Sequence, residues 1–336
     1  MSQQVVVKTS LTPNILMHVF SCLEIDGSFY DSNYGMKHHF TILQEEYDKW
    51  EEIAKKIMTI GCNTELYAIL FQIPSYIPAD DIDMILETYT KIKEAINEGS
   101  FKLLLDSYPE VFDSIELYAP ISIFETHFKR LNEQKEIIIP LVTLFQQILQ
   151  GVWDRFYQNY WEKEIQNILS KKVNNMNIII SPYNLITLWQ KYLEIEYPYQ
   201  EFVVHLVEPT TTIATTLLAE SVMISSLKED FELYKYIIHE IGRTYILNTQ
   251  IFDNDELKSL VQSNFDKIGQ IVDAICIYFK TKIYQSLNIK EKDDDPYRTP
   301  LVNEIIPLFS QIWDSKDKKN IYQAIIDTYN KLSPVV

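Results

Sequence analysis

Apolar residues recur along most of this chain in steps of three and four, the spacing of one helical face, and only rarely in the short runs that suit strands. Between Lys37 and Ile60 the positions Phe40, Leu43, Tyr47, Trp50, Ile53 and Ile57 predict a single amphipathic helix. Before it, Val5 to Lys8 reads as a short strand, and Thr12 with Pro13 as a helix start, the threonine capping a helix over Asn14 to Leu23. Asp26 to Gly35 is polar and turn-like. Further helices are expected over Thr64 to Ile73, Ala79 to Asn97, Phe101 to Leu105, Ile121 to Asn132 and Pro140 to Ser170, separated by breakers such as Pro74, Pro78 and Gly99. Asp80, Asp81 and Asp83 fall near the start of one of these, where carboxylates complement the helix dipole. That placement explains them better than a metal cluster does.

At Lys171 the pattern changes. Asn177 to Ser181, Phe202 to Val207 and Ser221 to Ser225 are β-branched runs bounded by Pro182, Pro198 and Pro209, and they predict a small sheet, with Leu185 to Ile195 as a helix between the first two. Thr210, Thr211, Thr212, Thr215 and Thr216 suit an extended edge segment or a loop. Next comes Lys228 to Asn248, in which Phe231, Tyr234, Ile238, Ile241 and Tyr245 form a stripe of helical period and Ser226 with Glu229 fits a capping box. Helices are then expected over Asp255 to Gln262, Phe265 to Gln285, Leu301 to Trp313 and Lys319 to Leu332. The charged, proline-bearing stretch Lys290 to Pro300 reads as an exposed loop. The predicted class is α+β, mainly helical: a helical region over 1–170, then a lobe over 171–336 with a small sheet, a central helix and C-terminal helices.

Composition narrows the function classes. With 336 residues, 46% of them hydrophobic, and 22 Tyr and 16 Phe against 7 Gly, the chain suits long helices packed by large side chains around a sizeable core. A formal charge of −17 argues against nucleic acid and anionic membranes as partners. Cys22, Cys62 and Cys276 are widely spaced among apolar residues, as expected of buried reduced thiols in a cytoplasmic protein. The amino terminus lacks a basic region followed by an apolar run, and no sequence segment approaches a membrane span of about 20 apolar residues. Glycine-rich phosphate loops, serine elbows and Cys-His pairs are absent. His38 and His39 point to different sides of a helix and read as surface residues; His18 and His127 have no visible partners; and His205 alternates with apolar neighbours, facing away from the core or lining a groove.

The remaining chemistry lies in the helix after the sheet, where Ile237 to Ile246 reads IIHEIGRTYI. This block resembles the active-site helix of zincin metallopeptidases, and more particularly bacterial zincin-like proteins with a helical N-terminal half, over about Asn177 to Thr281. The resemblance implies a substrate segment added as a strand at the sheet edge, His239 in the place of the first zinc ligand and Glu240 in that of the general base. Arg243 stands where such helices carry the second histidine. A guanidinium has no lone pair to offer and repels a divalent cation. The third ligand in such families is a glutamate on the following helix; here that helix offers only Asp266 and Asp273. One reading of the substitution is that Arg243 supplies positive charge in the metal's place, with Glu240, Asp266 or Asp273 as its expected partners. An intrahelical pair of Glu240 with Arg243 on an ordinary structural helix explains the same residues.

Three functions stay open. The first is a catalytically impaired, metallopeptidase-like protein, without a cofactor, that binds a peptide or protein segment along the edge near Thr212 to Ser225, with Arg243 and Arg298 available to a carboxylate. The second is an active metal-dependent hydrolase in which zinc is held by His239 with Asp266 or Asp273 and Glu240 activates water. The third is a helical scaffold or regulator. The sequence does not specify an oligomeric state.

Overall fold

The computed structural model describes residues 3–25, 32–109, 111–112, 121–210, 214–218, 220–247, 254–290, 295–315 and 320–332. Sequence expectations at 26–31, 211–213, 291–294 and 319 lie outside the described residues. The fold is α+β and mainly helical, with one four-stranded sheet in the order β1-β2-β4-β3. The strands are β1 (Gln4–Thr9), β2 (Glu201–Val207), β3 (Ala214–Leu218) and β4 (Ser221–Ser225). The chain forms two compact units, one of 7–178 and 203–233, the other of 1–6, 179–202 and 234–336.

In the first unit β2 and β4 run parallel, with Val204 opposite Val222 and Leu206 opposite Ile224, while β3 returns antiparallel against β4. Along β2, Phe202, Val204 and Leu206 are fully buried whereas Val203 and His205 are only partly so, which puts His205 on the face turned from the core. The threonine-rich segment is thus strand from Ala214 onward, at the end of the sheet.

The organising helix of this unit is Leu11–Cys22, every residue of which is buried. A helix apolar on all sides belongs inside a core, and Ile15, Leu16, Phe20 and their neighbours are fully enclosed. It begins after Ser10, so Thr12 sits in its first turn and is not the cap. The expected helix from Lys37 to Ile60 is broken. Ser32–His38 is helical, His39–Thr41 forms a tight 3-10 turn, and a new helix, Gln44–Ile60, starts where the Glu46 carboxylate accepts the backbone N–H of Leu43 at 2.9 Å. Phe40, placed on the buried stripe by periodicity, is 68% exposed because it falls in the break.

Prolines interrupt less than expected. Pro74 removes a donor to Leu70, whose carbonyl accepts the buried Tyr89 hydroxyl at 2.6 Å instead, so a widened turn over Ala68–Gln72 leads directly into Ile73–Tyr76. Asp81 caps Ile82–Glu98 by accepting from the Met84 N–H at 2.9 Å, and Gly99, at φ 67°, ends it in the left-handed region. A helical run then extends over Lys135–Ile180 with two widened turns, Trp153–Tyr157 and Trp161–Ile165. By length and composition this run is a marginal candidate for crossing a membrane, and its buried stripe of Ile138, Leu141, Phe145, Ile148 and Val152 packs as core. The run also absorbs Asn177 to Ile180, expected as a strand: an apolar run of that length is ambiguous, and here it continues the preceding helix.

In the other unit, Leu185–Leu193 is capped by Asn184, whose side chain accepts from the Thr187 N–H at 3.0 Å. The motif helix Asp230–Ile246 starts four residues past Ser226; the Ser226 N–H donates to Val207, so the serine ends a strand connection and caps nothing. Tyr234, Ile238, Ile241 and Tyr245 are buried as the stripe requires, while Phe231, nearer the start, is 46% exposed. Asp255–Ser263, Phe265–Leu287, Pro300–Trp313 and Ile321–Leu332 follow in sequence.

Candidate functional site

The HEIGR segment lies at the most enclosed part of its helix. His239 and Glu240 are both 0% exposed, which a half-buried surface helix would not produce. Gly242 accounts for part of this. A Cβ there would meet the Trp189 ring at 2.3 Å, so only glycine lets the indole lie against the helix, where its Nε1–H donates to the Ile238 carbonyl at 2.8 Å.

The site closes around His239 and Glu240 with groups from two later segments. Asp273 and Lys280 stand seven residues apart on Phe265–Leu287, two turns along one face. Lys280 Nζ is 3.5 Å from His239 Nδ1 and is ion-paired to Asp295; Lys280 is buried and Asp295 largely enclosed, at 2% and 10% exposure. An ammonium only donates, so Nδ1 accepts and the imidazole carries its proton on Nε2, which donates to Asp273 Oδ1 at 3.4 Å. Burial, and after it the Lys280 charge, hold the His239 pKa well below its ordinary value, and the ring is neutral.

Tyr297 covers the pair. Its ring stacks on His239 with centroids 3.6 Å apart and 11° between planes, and its hydroxyl donates to Glu240 Oε1 at 2.6 Å. Burial, then the Glu240 charge, keep this phenol far above its usual range. The segment is held by a local turn in which Asp295 Oδ1 accepts the Tyr297 N–H at 3.1 Å, and Thr299 with Pro300 then caps and starts the next helix. The segment is a loop as expected, with Pro296 and Thr299 exposed, but Asp295 and Tyr297 turn from it into the site. Burial opposes ionisation of Asp295, but Lys280 and its hydrogen bond outweigh it and lower the pKa.

Arg243 completes the network. Its Nε lies 3.3 Å from Asp273 Oδ1 and its Nη1 3.9 Å from Glu240 Oε2. Two of the three carboxylates expected as its partners are thus present. The third, Asp266, is a correction: it is exposed in the first turn of its helix, about 10 Å along the axis from Asp273 at 1.5 Å per residue, and takes no part. Burial first, opposed by Arg243, brings the Asp273 carboxyl to about 6, so the Arg243–Asp273 pair is charged at neutral pH. Arg298, expected to be available to a carboxylate, has its Nη1 3.4 Å from Asn303 Oδ1. Arg243 is likewise engaged.

The zinc alternative meets an obstacle in this chemistry. Both ring nitrogens of His239 and one oxygen of Glu240 are occupied by protein groups, two cations border the site, and among the described residues no cluster of three or more His, Cys, Asp or Glu is arranged to hold a metal. Cys276, fully buried nearby, has its thiol pushed well above the ordinary range by burial and then by Asp273, and is no nucleophile.

The other histidines serve the first unit. His38 is buried among Tyr34, Phe156 and Tyr160 and is not a surface residue, since the helix break turns it inward. His18 binds the Tyr34 hydroxyl at 2.8 Å and Thr41 at 3.2 Å, and His127 lies 3.5 Å from Glu65, which also pairs with Arg130. The three cysteines are free and buried as expected.

Sequence reasoning missed Lys280, Asp295 and Tyr297. The seven-residue spacing of Asp273 and Lys280 was a usable signal; a tyrosine in a charged connection gave none. Comparison with protein-family models, curated proteins and solved structures finds no match to this chain, so the likeness to zincins rests on the HEIGR helix alone.

Proposed function

We propose that this protein is a non-catalytic binding protein with a zincin-like motif helix, whose partner is a peptide or protein segment added as a strand along β3. The observation that carries the non-catalytic part is the occupation of His239 and Glu240 by Lys280, Asp273 and Tyr297. A general base must reach a water molecule, and a zinc ligand must present a lone pair; here those atoms serve to neutralise buried charge. Support for strand addition comes from β3, which is hydrogen-bonded to β4 and ends the sheet order, leaving one edge of its backbone outside the sheet pairing among the described residues.

The test has two arms. Protein purified without chelators is assayed for zinc and for hydrolysis of casein and of a peptide library, alongside Glu240→Gln; the expected result is no stoichiometric zinc and no hydrolysis that depends on Glu240. Selection from a random-peptide display library is then followed by hydrogen exchange, with new amide protection expected over 214–218. Zinc at one per chain with peptidase activity lost in Glu240→Gln overturns the non-catalytic reading. Selected peptides that protect other segments and leave β3 unchanged overturn strand addition.

A further inference from the structure

The first unit contains a cavity of about 500 Å³ at the amino end of the helix Leu11–Cys22, within the range that takes a small molecule. That helix end is unusual in three respects. It is buried, its first turn has no acidic residue, and Ser10, which stands at the cap position, makes no cap hydrogen bond. The Ser10 hydroxyl is directed to His205 Nδ1 at 2.7 Å instead. The N–H groups of Leu11 and Thr12, and the positive end of the dipole, are therefore offered to the cavity without a side-chain acceptor, with Lys8 also in its lining. This is the arrangement that receives a carboxylate.

Other observations indicate that the cavity is built for a ligand. Ser75 lines it, is only 9% exposed, and its hydroxyl has no hydrogen-bond partner among the described residues. Glu220 lines it too, with Oε2 buried and without a hydrogen-bond partner among the described residues. An orphaned buried polar atom is destabilising, and two of them line this one cavity, where a ligand would satisfy both. Glu220 requires a donor, the helix end an anion, and the exposed Asp80 adds negative charge to the lining. Trp161, on the same wall, offers an apolar surface.

We infer that this cavity binds a free amino acid, its carboxylate at the amino end of Leu11–Cys22 with Lys8 and the Ser75 hydroxyl, and its ammonium on Glu220. The site is separate from the HEIGR network, and the inference does not depend on strand addition. The fully buried first helix is thereby given a ligand-dependent end.

Isothermal titration calorimetry of the full chain with each standard amino acid tests it, with the amide and the N-acetyl derivative of any binder as controls. One or more amino acids are expected to bind saturably at one per chain, with about tenfold weaker binding when either charged group is masked and in Glu220→Gln. Ser75→Ala is the second variant. It removes a hydroxyl with no partner, so the unliganded Tm stays level or rises while affinity falls several-fold. Failure of every amino acid to bind at millimolar concentration overturns the inference. So does equal binding by wild type, Glu220→Gln and Ser75→Ala, or equal competition by acetate or phosphate.

Discussion

Replacing Lys280 with methionine removes the only cation paired with Asp295 among the described residues and leaves the shape of the helix nearly unchanged. The ammonium is 2% exposed and the carboxylate 10%, so solvent cannot take over the lost charge. Two routes bound the cost. Breaking one side of a buried ion pair costs about 3–5 kcal/mol. If Asp295 instead takes up a proton, forcing a carboxyl of ordinary pKa near 3.9 to be neutral at pH 7 costs about 4 kcal/mol. His239 Nδ1 also loses its donor, which adds about 1 kcal/mol or more. We therefore expect Lys280→Met to lose about 4–5 kcal/mol at pH 7, read from urea unfolding followed by far-UV circular dichroism. The loss should shrink toward pH 4, where neutralising Asp295 becomes free. Lys280→Met/Asp295→Asn should recover most of it, because a buried pair exchanged as a unit leaves no stranded charge. A single-variant loss under about 1 kcal/mol, or a double variant no more stable than the single, would falsify the closed network.

Further outcomes follow from the same geometry. The Asp273 carboxyl, raised to about 6 by burial and then lowered in part by Arg243, binds more protons folded than unfolded, so its contribution to stability is greatest below its ordinary value of 3.8 and falls as pH rises to about 6. Against Asp273→Asn, the wild type should therefore lose on the order of 3 kcal/mol between pH 4 and 6; an identical pH profile of the two proteins contradicts the assignment. His18, held at about 3 by burial and the neighbouring His38, acts in the opposite direction: its contribution is intact above the unfolded value of 6.5 and is lost as pH drops toward 3, so His18→Gln should flatten the acid limb of the stability profile. Gly242→Ala gains about 1 kcal/mol in helix propensity but drives a Cβ into the Trp189 ring, so a net loss of about 1–3 kcal/mol with altered tryptophan fluorescence is expected; a stabilised variant would show that the indole does not lie there. Ellman's reagent should label none of Cys22, Cys62 or Cys276 in the native protein and all of them in denaturant.

Most helices were legible because their causes are local. Asp81 and Asn184 cap by reaching three residues along their own backbone, and Gly99 ends a helix by its own φ. Where periodicity misled, the deciding partner lay elsewhere. The break at His39–Thr41 is sealed by Glu46, the run at Asn177 to Ile180 continues a helix begun at Gln166, and Ser10 turns to a histidine 195 residues away.

The candidate site divides along the same line. The residues of the motif helix, and the conflict between Arg243 and a metal, are properties of sequence, because helical spacing sets His239, Glu240 and Arg243 on neighbouring positions and a guanidinium cannot ligate. Tertiary structure alone selected Asp273 over Asp266, placed Lys280 against His239 Nδ1 and brought Tyr297 down onto the ring. Those choices depend on which faces of separate segments meet out of water, where an unpaired charge is costly and each one must find its partner.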